Sequence, residues 1–462
     1  MECDQSAITA ESLGSAEFKR DYGLRYAYLA GAMYKGIASR ELVVAMARAG
    51  MMGYFGTGGL DVEKIEAATQ FISAQLSGGQ PFGMNLLCNL ENPDLEEQTV
   101  ALFLRNDVRY VEAAAFMRMT PSLVRWRLAG LRRAPDGAIE RRRRTLAKVS
   151  RPEIAALFMR PPPEAVVANL LAAGKITAAE AQLSHAVPMA DEICIEADSA
   201  GHTDQGVAYA LMPAIAGLRD EMMSRYRYDQ PLRIGAAGGI GTPLAAAAAF
   251  IMGADFILTG SINQCTVEAG TSDAAKDVLQ ELDVQDTALA PAGDMFEIGA
   301  RVQVAKRGLF FPARANKLYE LYQRYDSIEA IDPKTRQQIE ERYFKRSFEE
   351  VWRETQAHYA RVQPGKLAEI ENSPKQKMAA IFRWYFVHTT RLALRGSEDQ
   401  RVDYQIHCGP AMGAFNRWVK GTELECWRNR RVAQIAERVM THAAAVLRAR
   451  FQSMCAPSPL QV

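Results

Sequence analysis

The chain lacks a charge of one sign to spare. Its 55 basic and 54 acidic residues leave a formal net charge of +1, which points toward neither nucleic acid nor a membrane surface. It lacks any apolar run long enough to span a bilayer. Residues 1–20 are acidic and small-polar and lack the basic-then-apolar order of a secretion signal, so a cytoplasmic location is expected. The seven cysteines, Cys3, Cys88, Cys194, Cys265, Cys408, Cys426 and Cys455, contain no CxxC pair or other metal-ligand spacing. They read as free thiols rather than a metal or disulfide framework. Histidine is also scarce, at six in 462 residues, so each one near a candidate site carries weight.

What is present is an alternation. Eight short apolar runs, Tyr26–Ala30, Met51–Phe55, Phe82–Leu87, Val108–Ala113, Thr145–Val149, Glu192–Glu196, Leu232–Ala236 and Asp255–Leu258, read as buried parallel strands. Helical patterns lie between them, among them Ser39–Ala49, Asp61–Leu76, Asp94–Leu104, Val207–Met223 and Thr242–Met252, several opening on a capping residue. Eight strand–helix alternations predict a (β/α)8 barrel over 21–312, with an open doubly wound sheet as the structural alternative. From 313 to 455 the chain is helical, densely charged and aromatic, as a C-terminal helical subdomain would be. Residues 1–20 and 456–462 read as tails.

Two glycine-rich turns carry the first functional signal. Gly235-Ala-Ala-Gly238-Gly239-Ile-Gly241-Thr242-Pro243 follows the seventh run and opens a helix, and Leu258-Thr-Gly260-Ser261 follows the eighth. Glycine lets backbone N–H groups approach an anion, and barrels commonly build one phosphate site from the loops after these two strands. The plainer reading is that tight turns need glycine anyway. The second signal is the loop Ala197-Asp-Ser-Ala-Gly201-His202-Thr-Asp204 after the sixth run. His202 can donate a hydrogen bond or a proton near neutral pH, or it can satisfy a nearby backbone group. Asp198 and Asp204 read as loop caps.

Weaker hints accompany these. Gly31-Ala32-Met33, after the first run, is a small-residue turn against which a flat ring can lie. Asn85 puts an amide at the end of an apolar strand, where it needs a ligand or a neighbouring loop as partner. Lys148, at the end of the fifth strand, offers a cation to a bound ring or phosphate, or lies on the surface. The run Arg141–Arg144 has no interleaved aromatics and reads as a solvated helix face, with an acidic partner protein as the other option.

Together these residues resemble the flavin-dependent barrel family that contains nitronate monooxygenases and the flavin-type bacterial enoyl reductases. Within it the chain is most similar to the PfaD-type trans-acting enoyl reductases of polyketide and polyunsaturated fatty acid synthases. Ala200-Gly201-His202 matches the catalytic-histidine loop, and Ala237-Gly238-Gly239-Ile240 the flavin phosphate loop. Leu258-Thr259-Gly260-Ser261 stands at the second phosphate turn, and Ala49-Gly50-Met51-Met52-Gly53 at the turn before the second strand. The helical third, with Gln405–Gly413, resembles the PfaD-type extension. Departures are Ala200 in place of a first glycine and Ser261 in place of a threonine.

The resemblance implies FMN and NADPH as cofactors. It implies His202 as the catalytic residue and Gly31, Ala32, Met33, Asn85, Lys148, Ala197, Gly201, Gly238, Gly239, Gly260 and Ser261 as cofactor-binding, with no metal. The implied reaction passes hydride from NADPH through the flavin to an α,β-unsaturated thioester on an acyl carrier protein. The helical part would receive that carrier or cover the entrance, and a homodimer is allowed. An oxidase or monooxygenase of the same fold and a non-catalytic docking subunit are the competing readings.

Overall fold

The computed structural model describes residues 8–89, 92–201 and 204–455. Eight parallel strands close into a barrel: β1 (Tyr28–Ala30), β2 (Met52–Phe55), β3 (Gly83–Leu87), β4 (Tyr110–Ala114), β5 (Arg144–Val149), β6 (Glu192–Glu196), β7 (Arg233–Ala237) and β8 (Phe256–Thr259). Each pairs with its neighbours in chain order, and β8 returns to β1 through Tyr28↔Ile257, Leu29↔Leu258 and Ala30↔Thr259. The barrel read from the eight apolar runs is therefore the one observed, and every run overlaps its strand. The open sheet is excluded by the β1–β8 ladder.

Compact packing divides the described residues into two units, one within 8–199, 204–270 and 417–455, the other made of 200–201 and 271–416. In the first, inward side chains of alternate strand positions fill the barrel, including Tyr54, Leu146, Cys194 and Phe256, as the two-residue side-chain period requires. The helix Ala16–Tyr22, begun by Ser15 accepting the Phe18 N–H, adds Phe18 and Tyr22 to this core. Phe18 stacks on Phe256 at 4.6 Å. Phe18, read from sequence as part of a tail, is thus core. Two aromatic anchors in a seven-residue helix leave too short a pattern to detect.

A second difference concerns the C-terminus. Helix Val432–Cys455 groups with the barrel rather than with the helical residues before it. Its stripe of Ile435, Ala436, Val439, Met440, Ala443 and Ala444 is buried, and it packs against the alanine-rich helix Pro243–Ile251. Amphipathic period identifies a buried face but not what covers it.

The second unit stands on its own aromatic core. An antiparallel hairpin, Thr287–Pro291 with Arg301–Ala305, accompanies the helices Phe311–Arg324, Phe348–Val362 and Pro374–Arg395. Phe296 is fully buried, with Tyr319, Tyr322 and Phe386 rings 5.4, 5.2 and 5.4 Å away. The hairpin was not foreseen in the sequence.

At the amino ends of the strands the arginine run finds a different role from the solvated helix face expected of it. Residues 141–143 are not helical, and Arg144 starts β5. Asp191, just before β6, accepts from Arg127 at 2.6 and 3.0 Å, from Arg141 at 2.9 Å and from the Thr145 N–H at 3.0 Å. Arg142 pairs with Asp107 at 2.8 Å, and Arg143 donates to the Ala129 carbonyl. A chain-local pattern cannot show that the acid answering a basic run lies about fifty residues on.

Burial raises the cost of ionising Asp191, but Arg127, Arg141 and Arg144 outweigh it and hold the carboxyl well below the ordinary aspartate range. Its stabilising effect is therefore present above the ordinary aspartate pKa and lost as pH falls toward the lower folded-state value. Asp191→Asn should cost about 3–5 kcal/mol by leaving buried guanidinium groups unpaired. Urea denaturation across pH 3–7 should show a lower midpoint and a shallower acid-side decline than in the parent.

Candidate active site at the carboxyl rim

Parallel closure places the carboxyl ends of all eight strands on one rim, the usual site-bearing face of such barrels. The two glycine turns leave β7 and β8, which are neighbours through Gly235↔Phe256 and Ala237↔Leu258. The glycines within the first turn differ in purpose. Gly235 lies in β7 against the Phe256 ring, so its missing side chain serves packing. Gly238 has φ +82°, and a Cβ there would lie 2.8 Å from the Ala197 carbonyl carbon. Gly239 has φ +71° with nothing within 4 Å of a notional Cβ. The same open space faces Gly260. The N–H groups of Gly239 and Gly260 meet no acceptor among the described residues. Two adjacent strand ends therefore each present an unengaged backbone donor beside open space.

The second turn is braced from below. Thr259 Oγ1 lies 2.6 Å from the Tyr28 hydroxyl and accepts from Asn263 Nδ2 at 3.0 Å. Asn263 N–H in turn donates to the Gly260 carbonyl at 2.9 Å. The Gly31 N–H donates to the Thr259 carbonyl at 2.9 Å, drawing the β1 turn to the β8 turn. Ala197 is tied in the same way, its N–H donating to Ala237 at 3.0 Å. Thus Gly31, Ala197, Gly238 and Gly260 occupy one continuous arc of the rim.

A second group converges on a residue the sequence reading passed over. Glu112, on β4 and 1% exposed, accepts the Ala32 N–H at 3.0 Å on Oε2. Asn85 Nδ2 donates to the Glu112 carbonyl at 3.0 Å. Lys148 Nζ lies 3.8 Å from Glu112 Oε1 and 3.1 Å from Glu196 Oε1. Ser199 also donates to Glu196 Oε1, at 3.0 Å. Three of the candidate residues, Ala32, Asn85 and Lys148, are therefore joined through one glutamate. Burial pushes the Glu112 carboxyl above the ordinary glutamate range, against the pull of Lys148 and the Ala32 N–H. Burial also disfavours the Lys148 ammonium, but Glu196 and Glu112 reverse this and leave it more basic than an ordinary lysine. The signal was legible in principle: a carboxylate in the middle of an apolar strand needs a partner.

Other candidates are placed differently. The Met33 carbonyl accepts the Ala38 N–H at 3.4 Å within the next turn. Ser261 opens a short helix, Ser261–Gln264. Gly201 is exposed. His202 lies outside the described residues, but both flanks of its loop are fixed. Asp198 N–H donates to the Gly206 carbonyl at 3.0 Å. Asp204 accepts from Ser150 Oγ at 2.7 Å and from Arg151 Nε and Nη2. Asp204 is thus a loop anchor rather than the cap expected of it, and Val207 takes the cap position of the next helix.

Comparison with known proteins matches this layout. A model of the nitronate monooxygenase family matches residues 20–307. A model of the inserted helical domain of [acyl-carrier-protein] S-malonyltransferase matches residues 325–404. The crystal structure of the enoyl reductase domain of MlnA, from the macrolactin biosynthesis cluster of Bacillus amyloliquefaciens, has a TM-score of 0.93 and 45% identity, covering 96% of this chain and 99% of that one. The chain belongs to the PfaD-type enoyl reductases of the nitronate monooxygenase-like barrel family. Within that family it is 59% identical over 454 residues to the polyketide biosynthesis protein PksE of Bacillus subtilis, covering 98% of this chain and 59% of that protein. It is 44% identical over 421 residues to one of the polyunsaturated fatty acid synthase subunits of Thraustochytrium sp., covering 90% of this chain and 28% of that protein. The chain thus spans only part of the curated relatives it matches. No helix among the described residues is long and apolar enough to cross a membrane.

Gly238→Ala should destabilise the protein by about 1–3 kcal/mol, because the left-handed backbone and the close Ala197 carbonyl both oppose a side chain. Gly260→Ala, at φ −128° with open space above it, should stay within about 0.5 kcal/mol of the parent. Paired melting curves of the two variants check the contrast.

Proposed function

We propose that this chain is an FMN-dependent enoyl reductase acting in trans on α,β-unsaturated acyl thioesters borne by an acyl carrier protein, with NADPH as reductant. The observation that carries the cofactor is the pair of unengaged N–H groups, Gly239 and Gly260, on adjacent strand ends. Such donors suit a terminal phosphate dianion, and the helix Pro243–Ile251 adds its amino-terminal dipole beside them. Asn85 and Lys148 then offer amide and ammonium donors for the polar edge of the isoalloxazine, beside the Ala32 turn that Glu112 holds.

FMN supplies the hydride chemistry when bound, accepting from NADPH and delivering to the β-carbon of the enoyl thioester. The protein's part is positional and electrostatic. Negative charge develops on the thioester oxygen as hydride arrives, and a donor aimed there lowers the barrier most. His202 is that donor or the source of the α-carbon proton, with solvent as the rival for the proton. Carrier-borne substrate is supported by the synthase relatives and by the likeness of 325–404 to a helical domain from an acyl-carrier-protein transferase.

The test is an absorbance spectrum of the purified protein, followed by anaerobic addition of NADPH and then a crotonyl thioester. The expected sequence is a yellow protein, bleaching by NADPH, and return of colour with the thioester. Bleaching that reverses only with oxygen favours the oxidase reading carried by the nitronate monooxygenase model. A protein that stays colourless with added FMN favours a docking subunit. His202→Ala should keep the flavin colour and lose about 10²–10⁴-fold in enoyl reduction, the range for a positioned proton donor. Stopped-flow turnover measures it, and unchanged turnover removes His202 from the mechanism.

A further inference from the structure

Four polar residues on the inner face of β3 to β6 are Asn85, Glu112, Lys148 and Glu196. Strand alternation puts all of them on the inner face, since Leu146 and Cys194, two residues before Lys148 and Glu196, belong to the interior core. Only one of the four ionisable or amide groups is a cation. Its two carboxylate neighbours come from the flanking strands, at 3.8 and 3.1 Å, so Lys148 is held from both sides. Glu112 is also engaged by the Ala32 N–H and lies within 3.5 Å of Asn85 Nδ2. Glu196 is engaged by Ser199. Neither carboxylate is therefore free to turn away from the lysine without abandoning a second hydrogen bond.

An ammonium on a four-carbon stem has many rotamers and no intrinsic aim. A lysine that contacts a planar ring at one point needs that freedom removed beforehand, so that binding does not bear the ordering cost. We propose that Glu112 and Glu196 are positioning residues which clamp the Lys148 ammonium at the carboxyl rim and, through Glu112, fix the Ala32 turn against the same flavin edge. The proposal rests on the reading that FMN binds here, but the clamp itself exists before any ligand arrives.

Charge alone and positioning predict opposite results. FMN is an anion, so deleting a nearby carboxylate charge should tighten its binding if the carboxylates act only through their field. If they aim Lys148, deletion should weaken it. Glu112→Gln keeps the shape and the acceptor oxygen for the Ala32 N–H. Glu196→Gln is the companion variant at a less buried position, its side chain being 19% exposed.

The experiment has two arms. In the first, flavin-free protein is treated with a limiting amine acylating reagent over pH 8–11, and modification of Lys148 is followed by peptide mass spectrometry. The parent should resist, and both Gln variants should react at least about tenfold faster, the factor that corresponds to losing one close charge–charge contact of about 1.4 kcal/mol. In the second, FMN is titrated by quenching of its fluorescence. Each Gln variant should bind about tenfold more weakly, and the penalty should vanish in a Lys148→Met background, since the carboxylates then have nothing to aim.

Equal Lys148 reactivity in parent and both variants overturns the clamp. Unchanged or tighter FMN binding, or a penalty that persists without Lys148, overturns its role toward the flavin. A parent that binds no FMN yet shows the reactivity difference sinks the cofactor reading while leaving the clamp standing.

Discussion

A parallel sheet must have its edges closed or covered, and here closure is complete: β8 pairs with β1 as well as β7. Everything functional follows from that one constraint. It leaves no edge strand, forces every connection to cross on the outside, and gathers eight strand ends at one rim. Residues from β1, β3, β5, β6, β7 and β8, spread over some 230 positions of sequence between Gly31 and Ser261, thereby become neighbours. The two rims are put to different use. The amino rim is tied by Asp191, Glu192 and their arginines, while at the carboxyl rim the Gly239 and Gly260 N–H groups have no acceptor among the described residues.

Much of this was legible from residue order. The barrel could be read because each strand is buried on both faces, which leaves eight apolar runs with glycine or polar punctuation. The first glycine turn could be read because the left-handed backbone at Gly238 and Gly239 favours glycine. What escaped notice depended on partners distant in sequence. Asp204 looks like a cap until Arg151 is placed beside it. Arg141–Arg144 looks solvated until Asp107 and Asp191 arrive. The helix Ala16–Tyr22 carries only two large apolar anchors, and its burial rests on the Phe256 ring.

Glu112 is the instructive omission. Sequence reading favours residues with an obvious chemical task, and a glutamate in a strand has none by itself. Its importance comes from what it touches: a turn on β1, an amide on β3 and an ammonium on β5. A buried charge is costly unless satisfied, so a network like this is built completely or not at all. The position therefore says more about the site than several of the glycines around it.

The order of segments along the chain has a further consequence. Residues 271–416 interrupt the first unit, whose helix Val432–Cys455 is made well after the barrel strands. During synthesis all eight strands have left the ribosome while the apolar stripe that belongs against Pro243–Ile251 has yet to be translated. The nascent barrel must wait with that alanine-rich surface bare until the intervening 146-residue stretch, 271–416, has passed through the exit tunnel. Such a delay exposes an apolar patch to chaperones and makes the 24-residue helix Val432–Cys455 a late contributor to the packing of the barrel.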